Sequence, residues 1–283
     1  MTVASRAFTA AVCCLVLALA WRAGLVLLDH RAVRRGYPGA GAYRVGRGWS
    51  GPDAWAGQCR RALVGLAAAA VLLPVAVLPG SRAAAGAALL ACGTAGAWIL
   101  LDRAPRFTGV CLLVLLALVA VREVGVLAGV RVGGEPSAAR IGFLASFFAA
   151  QMYLVAGLRK VRSPQFMSGR VLMDNIAYNA WQAAAGSREF LPVPSLPRLA
   201  VALDAPVFRA ACRAAAVATA GVELTLGLGA LGLFPGAVTV LLAVPAHLAF
   251  TAISPRRIVP FSAASLGLLL LAASHPLLSG PGW

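Results

Sequence analysis

Acidic residues are scarce in this sequence, and charge of any kind is thin. Nine of 283 residues are Asp or Glu, and only 12% are charged, where a soluble domain carries about a quarter of its residues charged. Lysine occurs once, at Lys160, and every other basic residue is arginine. The six cysteines (Cys13, Cys14, Cys59, Cys92, Cys111, Cys212) include no CxxC pair, so neither a disulfide framework nor a zinc site is indicated, and they read as small core residues. HExxH, P-loop, GxSxG and N-x-S/T patterns are all missing, which leaves zinc-protease, NTPase and ordinary serine-hydrolase readings without support. The net charge of +16 sits in clusters between apolar stretches. That pattern suits anionic lipid and cytoplasmic loops rather than nucleic acid.

What remains is apolar. Residues of hydrophobic type make up 60% of the chain, which implies an all-α integral membrane protein, a bundle of about eight transmembrane helices. The candidate spans are 7–28, 62–79, 83–101, 107–121, 141–158, 209–233, 237–253 and 258–275. Arg6 followed by an apolar stretch ending Ala18-Leu19-Ala20 has the look of a signal peptide, but the run continues past Trp21 and Arg22, so an uncleaved first span is expected. Two long connectors, 29–61 and 159–208, are the places where non-helical backbone can line a site. The first holds Arg31, Arg34, Arg35, Arg44, Arg47, Arg60 and Arg61; the second includes a stiff Pro-rich stretch, 192–206, with Pro192, Pro194, Pro197 and Pro206. Lys and Arg favour the odd-numbered connectors, which the positive-inside rule places in the cytoplasm with both termini outside. Gly227, Gly229 and Gly232 match a dinucleotide fingerprint, but mid-span and without the strand it requires. Gly125 and Gly129 form a GxxxG pair suited to close helix packing.

The single lysine is the residue to follow. Arginine stays protonated, whereas a lysine amine set among apolar groups can release its proton and act as base or nucleophile. On a helix, Tyr153, Ala156 or Gly157, and Lys160 share one face, with Arg159 turned about 100° away. Gly157 is expected to leave space beside the amine, and Arg159 to act on it by like-charge repulsion. A lysine at a membrane edge also snorkels with no chemical role. Two further ionisable residues lie deep in apolar runs, Glu223 and His247. A carboxylate in a membrane is costly enough to face the bundle interior with a partner, and Arg22 in the first span is a candidate for it. For His247, a backbone carbonyl near Pro245 competes with a place in a site. Together Lys160, Glu223, His247 and Arg22 are expected to form a polar pocket; no metal set is indicated.

The run Tyr153-Leu154-Val155-Ala156-Gly157-Leu158-Arg159-Lys160-Val161, followed by Gln165-Phe166-Met167-Ser168-Gly169 and Val171-Leu172, resembles a stretch of the horizontally transferred transmembrane (HTTM) domain, Y-x-x-A-G-x-x-K-[LV] … W-x-x-G-x-[AS]. Glu223-Leu224, then Ala246-His247-Leu248, then Val259-Pro260-Phe261-Ser262 follow in the order of that superfamily. The superfamily includes vitamin K-dependent gamma-glutamyl carboxylases and the bacterial sporulation-delaying protein B group. The similarity covers roughly 150–275, and the motif-bearing half of a single HTTM-like domain, 1–283, is 141–275.

What the resemblance implies divides in two. On the carboxylase side Lys160 is the base that deprotonates a reduced naphthoquinone (vitamin K or menaquinone); beside that base, the residues themselves offer Glu223 and His247 as further catalytic candidates and Arg22, Tyr153, Gly157 and Arg159 as candidate pocket residues. Phe166 stands where the family carries tryptophan, no histidine lies between His30 and His247, and the large lumenal domain of the carboxylases has no counterpart. Those departures favour the compact bacterial group, whose members work in the plasma membrane beside a small partner protein to mature a secreted peptide toxin. The leading expectation is therefore a multi-pass bacterial plasma-membrane protein in contact with lipid, a peptide precursor and a partner. The alternatives are a quinone-dependent carboxylase or oxidoreductase, a non-catalytic scaffold in which the same residues hold helices together, and, with no inverted repeat to support it, a transporter.

Overall fold

Apolar runs in a membrane have no water to satisfy their amides, so each must close its hydrogen bonds within itself as helix. The computed structural model describes residues 3–34, 52–77, 81–101, 106–129, 135–184, 190, 195–253 and 258–274, and among them there is helix and no strand. In chain order the helices are α1 (Val3–Arg34), α2 (Pro52–Leu72) with a 3-10 continuation (Leu73–Val77), α3 (Arg82–Leu101), α4 (Arg106–Leu127), α5 (Glu135–Val161), α6 (Pro164–Met167), α7 (Arg170–Ala184), α8 (Leu196–Asp204), α9 (Pro206–Leu231), α10 (Gly236–Ile253) and α11 (Ile258–Ser274).

Six segments are long and apolar enough to cross a membrane: Ser5–Leu28, Gly57–Val77, Arg82–Leu100, Phe107–Leu127, Ile141–Val161 and Pro206–Leu231. They coincide with the first six expected spans. The last two expected spans form the shorter helices α10 and α11, of 18 and 17 residues, about 27 and 25 Å long at 1.5 Å per residue. Despite its length α11 occupies the centre. It packs against α1, α4, α5, α9 and α10, and ten of its 17 residues are buried. Small residues permit this. A Cβ on Gly267 would stand 2.9 Å from Leu115 Cδ2 and 3.3 Å from Cys14 Cβ, so α1 and α4 close on α11 across a position without a side chain.

Three expectations change. The connector 159–208 is largely helical, forming α6, α7 and α8 in place of open loop. Within the Pro-rich stretch, Pro197 and Pro206 sit in the first turns of α8 and α9, where the missing N–H has no intrahelical partner to lose; Pro192 and Pro194 lie outside the described residues. In the connector 29–61, helix continues through Arg34 and resumes at Pro52, so Arg31, Arg34, Arg60 and Arg61 belong to helices; Arg35, Arg44 and Arg47 lie outside the described residues. Gly129 does not pack helices as a GxxxG partner: at φ +72° it takes the left-handed turn that ends α4, a backbone that suits glycine. Cys59, Cys92, Cys111 and Cys212 are buried, whereas Cys13 is exposed on the bundle's outer face.

The contact that positions the site is α5 against α9. A Cβ on Gly157 would stand 2.8 Å from Leu224 side-chain atoms and 3.2 Å from its backbone nitrogen, and one on Gly227 would stand 2.6 Å from Leu154 Cγ and 3.0 Å from its nitrogen. Numbers rise on one helix as they fall on the other, so the two run antiparallel, each seating a leucine of its neighbour in a glycine notch. Gly227→Ala should therefore lower stability by about 1–3 kcal/mol, as overpacking does, while Gly221→Ala, where a Cβ meets nothing within 4 Å, should be neutral. Thermal unfolding in neutral detergent checks this; equal melting of the two variants would contradict the close approach.

Candidate functional site

With α5 and α9 held at glycine-to-leucine contact, the last turn of α5 brings Lys160 to Glu223. Lys160 Nζ donates to both carboxylate oxygens, Oε1 and Oε2. Glu223 is buried on α9, and the Lys160 side chain retains 26% of its exposure. A cation in the final turn of a helix also faces the carbonyl end of the helix dipole, which suits a lysine one residue before Val161. Beyond it the chain turns. Ser163 caps α6 by accepting a hydrogen bond from the Phe166 N–H at 3.2 Å, and the Phe166 ring lies with its centroid 5.5 Å from Lys160 Nζ. At that distance the ring face attracts the ammonium. Gly169 then passes against α9 with φ +82°, where a Cβ would stand 2.5 Å from the Arg213 backbone nitrogen. Both the left-handed backbone and the space exclude a side chain there.

A second pair lies on the same face of α5. The Tyr153 hydroxyl and His247 Nε2 are 2.6 Å apart. Tyr153 precedes Lys160 by seven residues, about 10 Å along the helix axis. His247, on α10 two residues after the in-helix Pro245, is almost wholly buried between the rings of Phe250 and Phe261, with centroids at 5.7 and 5.8 Å. Its Nδ1 has no hydrogen-bond partner among the described residues.

Of the four expected pocket residues, Lys160 and Glu223 pair with each other, His247 pairs with Tyr153, and Arg22 lies apart in α1. Glu223 takes Lys160 as its ion-pair partner rather than Arg22, because Arg22 is buried in α1, which packs on α2, α4 and α11. His247 meets a phenol where a backbone carbonyl was one of the two expectations. Gly157 leaves no space beside the amine, since Leu224 fills its notch. Arg159 is exposed. A further pair went unseen in the sequence. Arg122 donates to Glu123 Oε1 at 2.5 Å and to the Ala76 carbonyl at 2.8 Å, with its guanidinium 4.1 Å from the centroid of Phe8. The signal was the apolar run after Glu123, which carries α4 on to Leu127 and turns a connector charge pair into a helical one.

Chemically, Lys160 and Glu223 can exchange one proton. As ammonium and carboxylate they form a hydrogen-bonded ion pair; with the proton on the acid, the nitrogen has a free lone pair and can act as a base. Neither form buries net charge, which is what makes the pair tolerable at this depth. An apolar groove of about 280 Å³ lies beside α5, lined by Phe107, Val110, Phe148, Gln151, Met152 and Val155. At 100° per residue Phe148, Gln151 and Val155 lie about 120° to 180° around α5 from Lys160, and Met152 about 80°.

Lys160→Met should destabilise the protein by about 3 kcal/mol by leaving a buried carboxylate unpaired, and adding Glu223→Leu should recover most of that loss. Thermal unfolding of the two singles and the double in detergent reads the coupling; additive losses would mean the pair does not exist. Tyr153→Phe should cost about 1–3 kcal/mol through the imidazole nitrogen it abandons, and unchanged melting would count against the Tyr153–His247 hydrogen bond. Comparison of the chain with protein-family models, with curated proteins and with solved structures returns no match, so the functional reading rests on this geometry and on the residue pattern that led to it.

Proposed function

We propose that this chain is a multi-pass protein of the bacterial plasma membrane, similar to the compact HTTM-domain group, in which about eight helices cross and the Lys160–Glu223 pair is an acid–base centre used to mature a secreted peptide beside a small partner protein. The observation that supports it is the placement of the lone lysine against a buried carboxylate, at the end of α5 and under Phe166. The lysine at this place belongs to the motif on which the resemblance rests. Glu223 receives the proton that Lys160 sheds, the neutral amine takes a proton from the substrate, and the Glu223 carboxyl then gives its proton to the anion so formed once it has reacted, which restores the ammonium–carboxylate pair.

A scaffold reading has its own observation. The pair bridges α5 and α9 at the level where Gly157 and Leu224 touch, so it also serves as a clamp between the two helices. Lys160→Arg separates the readings, because a guanidinium keeps the ion pair but does not act as a base. In cells carrying Lys160→Arg or Lys160→Ala, mass spectrometry of the secreted fraction should show the same mature peptide lost from both, with wild-type amounts of the membrane protein. A normal peptide profile in both variants removes the acid–base reading. Loss in Lys160→Ala alone leaves the clamp.

A further inference from the structure

The end of the bundle where α5 stops is crowded with arginine. Past the level of Lys160, α9 continues toward its N-terminus beyond the end of α5, and Arg213 lies ten residues from Glu223, about 15 Å along the helix axis. Against this projecting part α6 and the start of α7 are pressed through Gly169. Between α6 and α9 lies a crevice of about 400 Å³, lined by Pro164, Met167, Ser168 and Arg213. Arg209 is one helical turn from Arg213 and on the same face. Arg170 follows Gly169 directly, and Arg159 and Arg162 flank the turn that leads into α6. All five are exposed. Arg159, Arg162, Arg209 and Arg213 have no acidic partner among the described residues, and Arg170 has only exposed Asp174 at 3.9 Å. The flanking surface is amphipathic: α7 presents Tyr178 and Trp181, 54% and 58% exposed, residue types that settle at the headgroup level of a bilayer.

We infer that the α6–α9 crevice is a binding site for the headgroup of an anionic phospholipid, with Arg213 and Arg209 holding the phosphate, Arg170 at the other wall, and the α7 aromatics at the membrane–water boundary. Three features point to a lipid rather than a soluble anion. Uncompensated guanidinium groups are matched to phosphate in charge and geometry. The crevice opens beside a span, where acyl chains are at hand. The neighbouring exposed rings are interface anchors rather than members of a sealed pocket. The inference rests on the membrane placement of the chain and is independent of what Lys160 does.

The experiment titrates the purified full chain in neutral detergent with short-chain phosphatidylglycerol and, separately, phosphatidylcholine, reading bound lipid by native mass spectrometry. Phosphatidylglycerol should bind in preference, and Arg209→Gln/Arg213→Gln should weaken it about thirtyfold at low salt, about fivefold for each arginine, with the preference shrinking as salt is raised. Arg60→Gln/Arg61→Gln removes two exposed arginines of α2 and should leave binding unchanged. Equal loss in that control would show bulk charge and no site. Absence of a phosphatidylglycerol preference overturns the inference, as does displacement of the lipid by an equal concentration of inorganic phosphate, which would mark a general anion site. Recovery of the wild-type chain outside the membrane fraction would overturn the membrane reading together with this one; membrane recovery without lipid preference sinks this one alone.

Discussion

A carboxylate in the middle of an apolar helix is tolerable only if something answers its charge, and Glu223 is answered by Lys160. Much of the local architecture follows from meeting that requirement. Lys160 Nζ reaches both carboxylate oxygens because α5 lies close to α9, and that closeness depends on glycine at 157 and 227, each admitting a leucine of the other helix. The chain after the lysine must then clear α9, which the Ser163 cap and the left-handed Gly169 accomplish in a few residues. One electrostatic demand is thus met by a run of residues that are individually unremarkable in type: two glycines, a serine, another glycine.

The helical class and six of the long apolar helices were legible in composition and run length alone, because a membrane leaves the backbone no alternative to helix. The face shared by Tyr153, Gly157 and Lys160 was legible too, since helical periodicity fixes it. What sat across from that face was not. Arg22 was the candidate partner for Glu223, and tertiary packing gave that place to Lys160: α1 packs on α11, α2 and α4, whereas α9 packs on α5. Gly157 was misread for a related reason. A missing side chain looks like room in a sequence, but in a packed bundle a neighbour fills it. The connector 159–208 was misread because its prolines suggest loop, although proline in a first turn begins a helix as readily as it ends one.

The shortness of α11 has a structural counterpart. A helix surrounded by other helices meets protein on most of its faces rather than hydrocarbon, so it is free of the length that an outer helix needs to cover its backbone. Serine is placed accordingly: Ser262 and Ser265 are buried on α11, where polar atoms face protein instead of lipid. The central helix combines small residues and two buried serines with a strongly apolar run, Leu266-Gly267-Leu268-Leu269-Leu270-Leu271.

The three polar pairs differ in accessibility and in the chemistry of their members. Tyr153–His247 and Arg122–Glu123 each hold a nearly sealed member, His247 at 1% exposure and Glu123 at 2%, and each joins elements that the core already packs. Tyr153–His247 is buried at both ends, whereas Arg122 keeps 21% of its side-chain exposure. Lys160 sits at the last turn of α5, retains about a quarter of its side-chain exposure, and is covered on one side by Phe166, part of a four-residue helix rather than of a span. Reaction chemistry needs both a group whose proton can move and a path to it. Lys160–Glu223 combines a partly open approach with an amine that can release its proton, whereas Arg122 is about as open but its guanidinium keeps its proton.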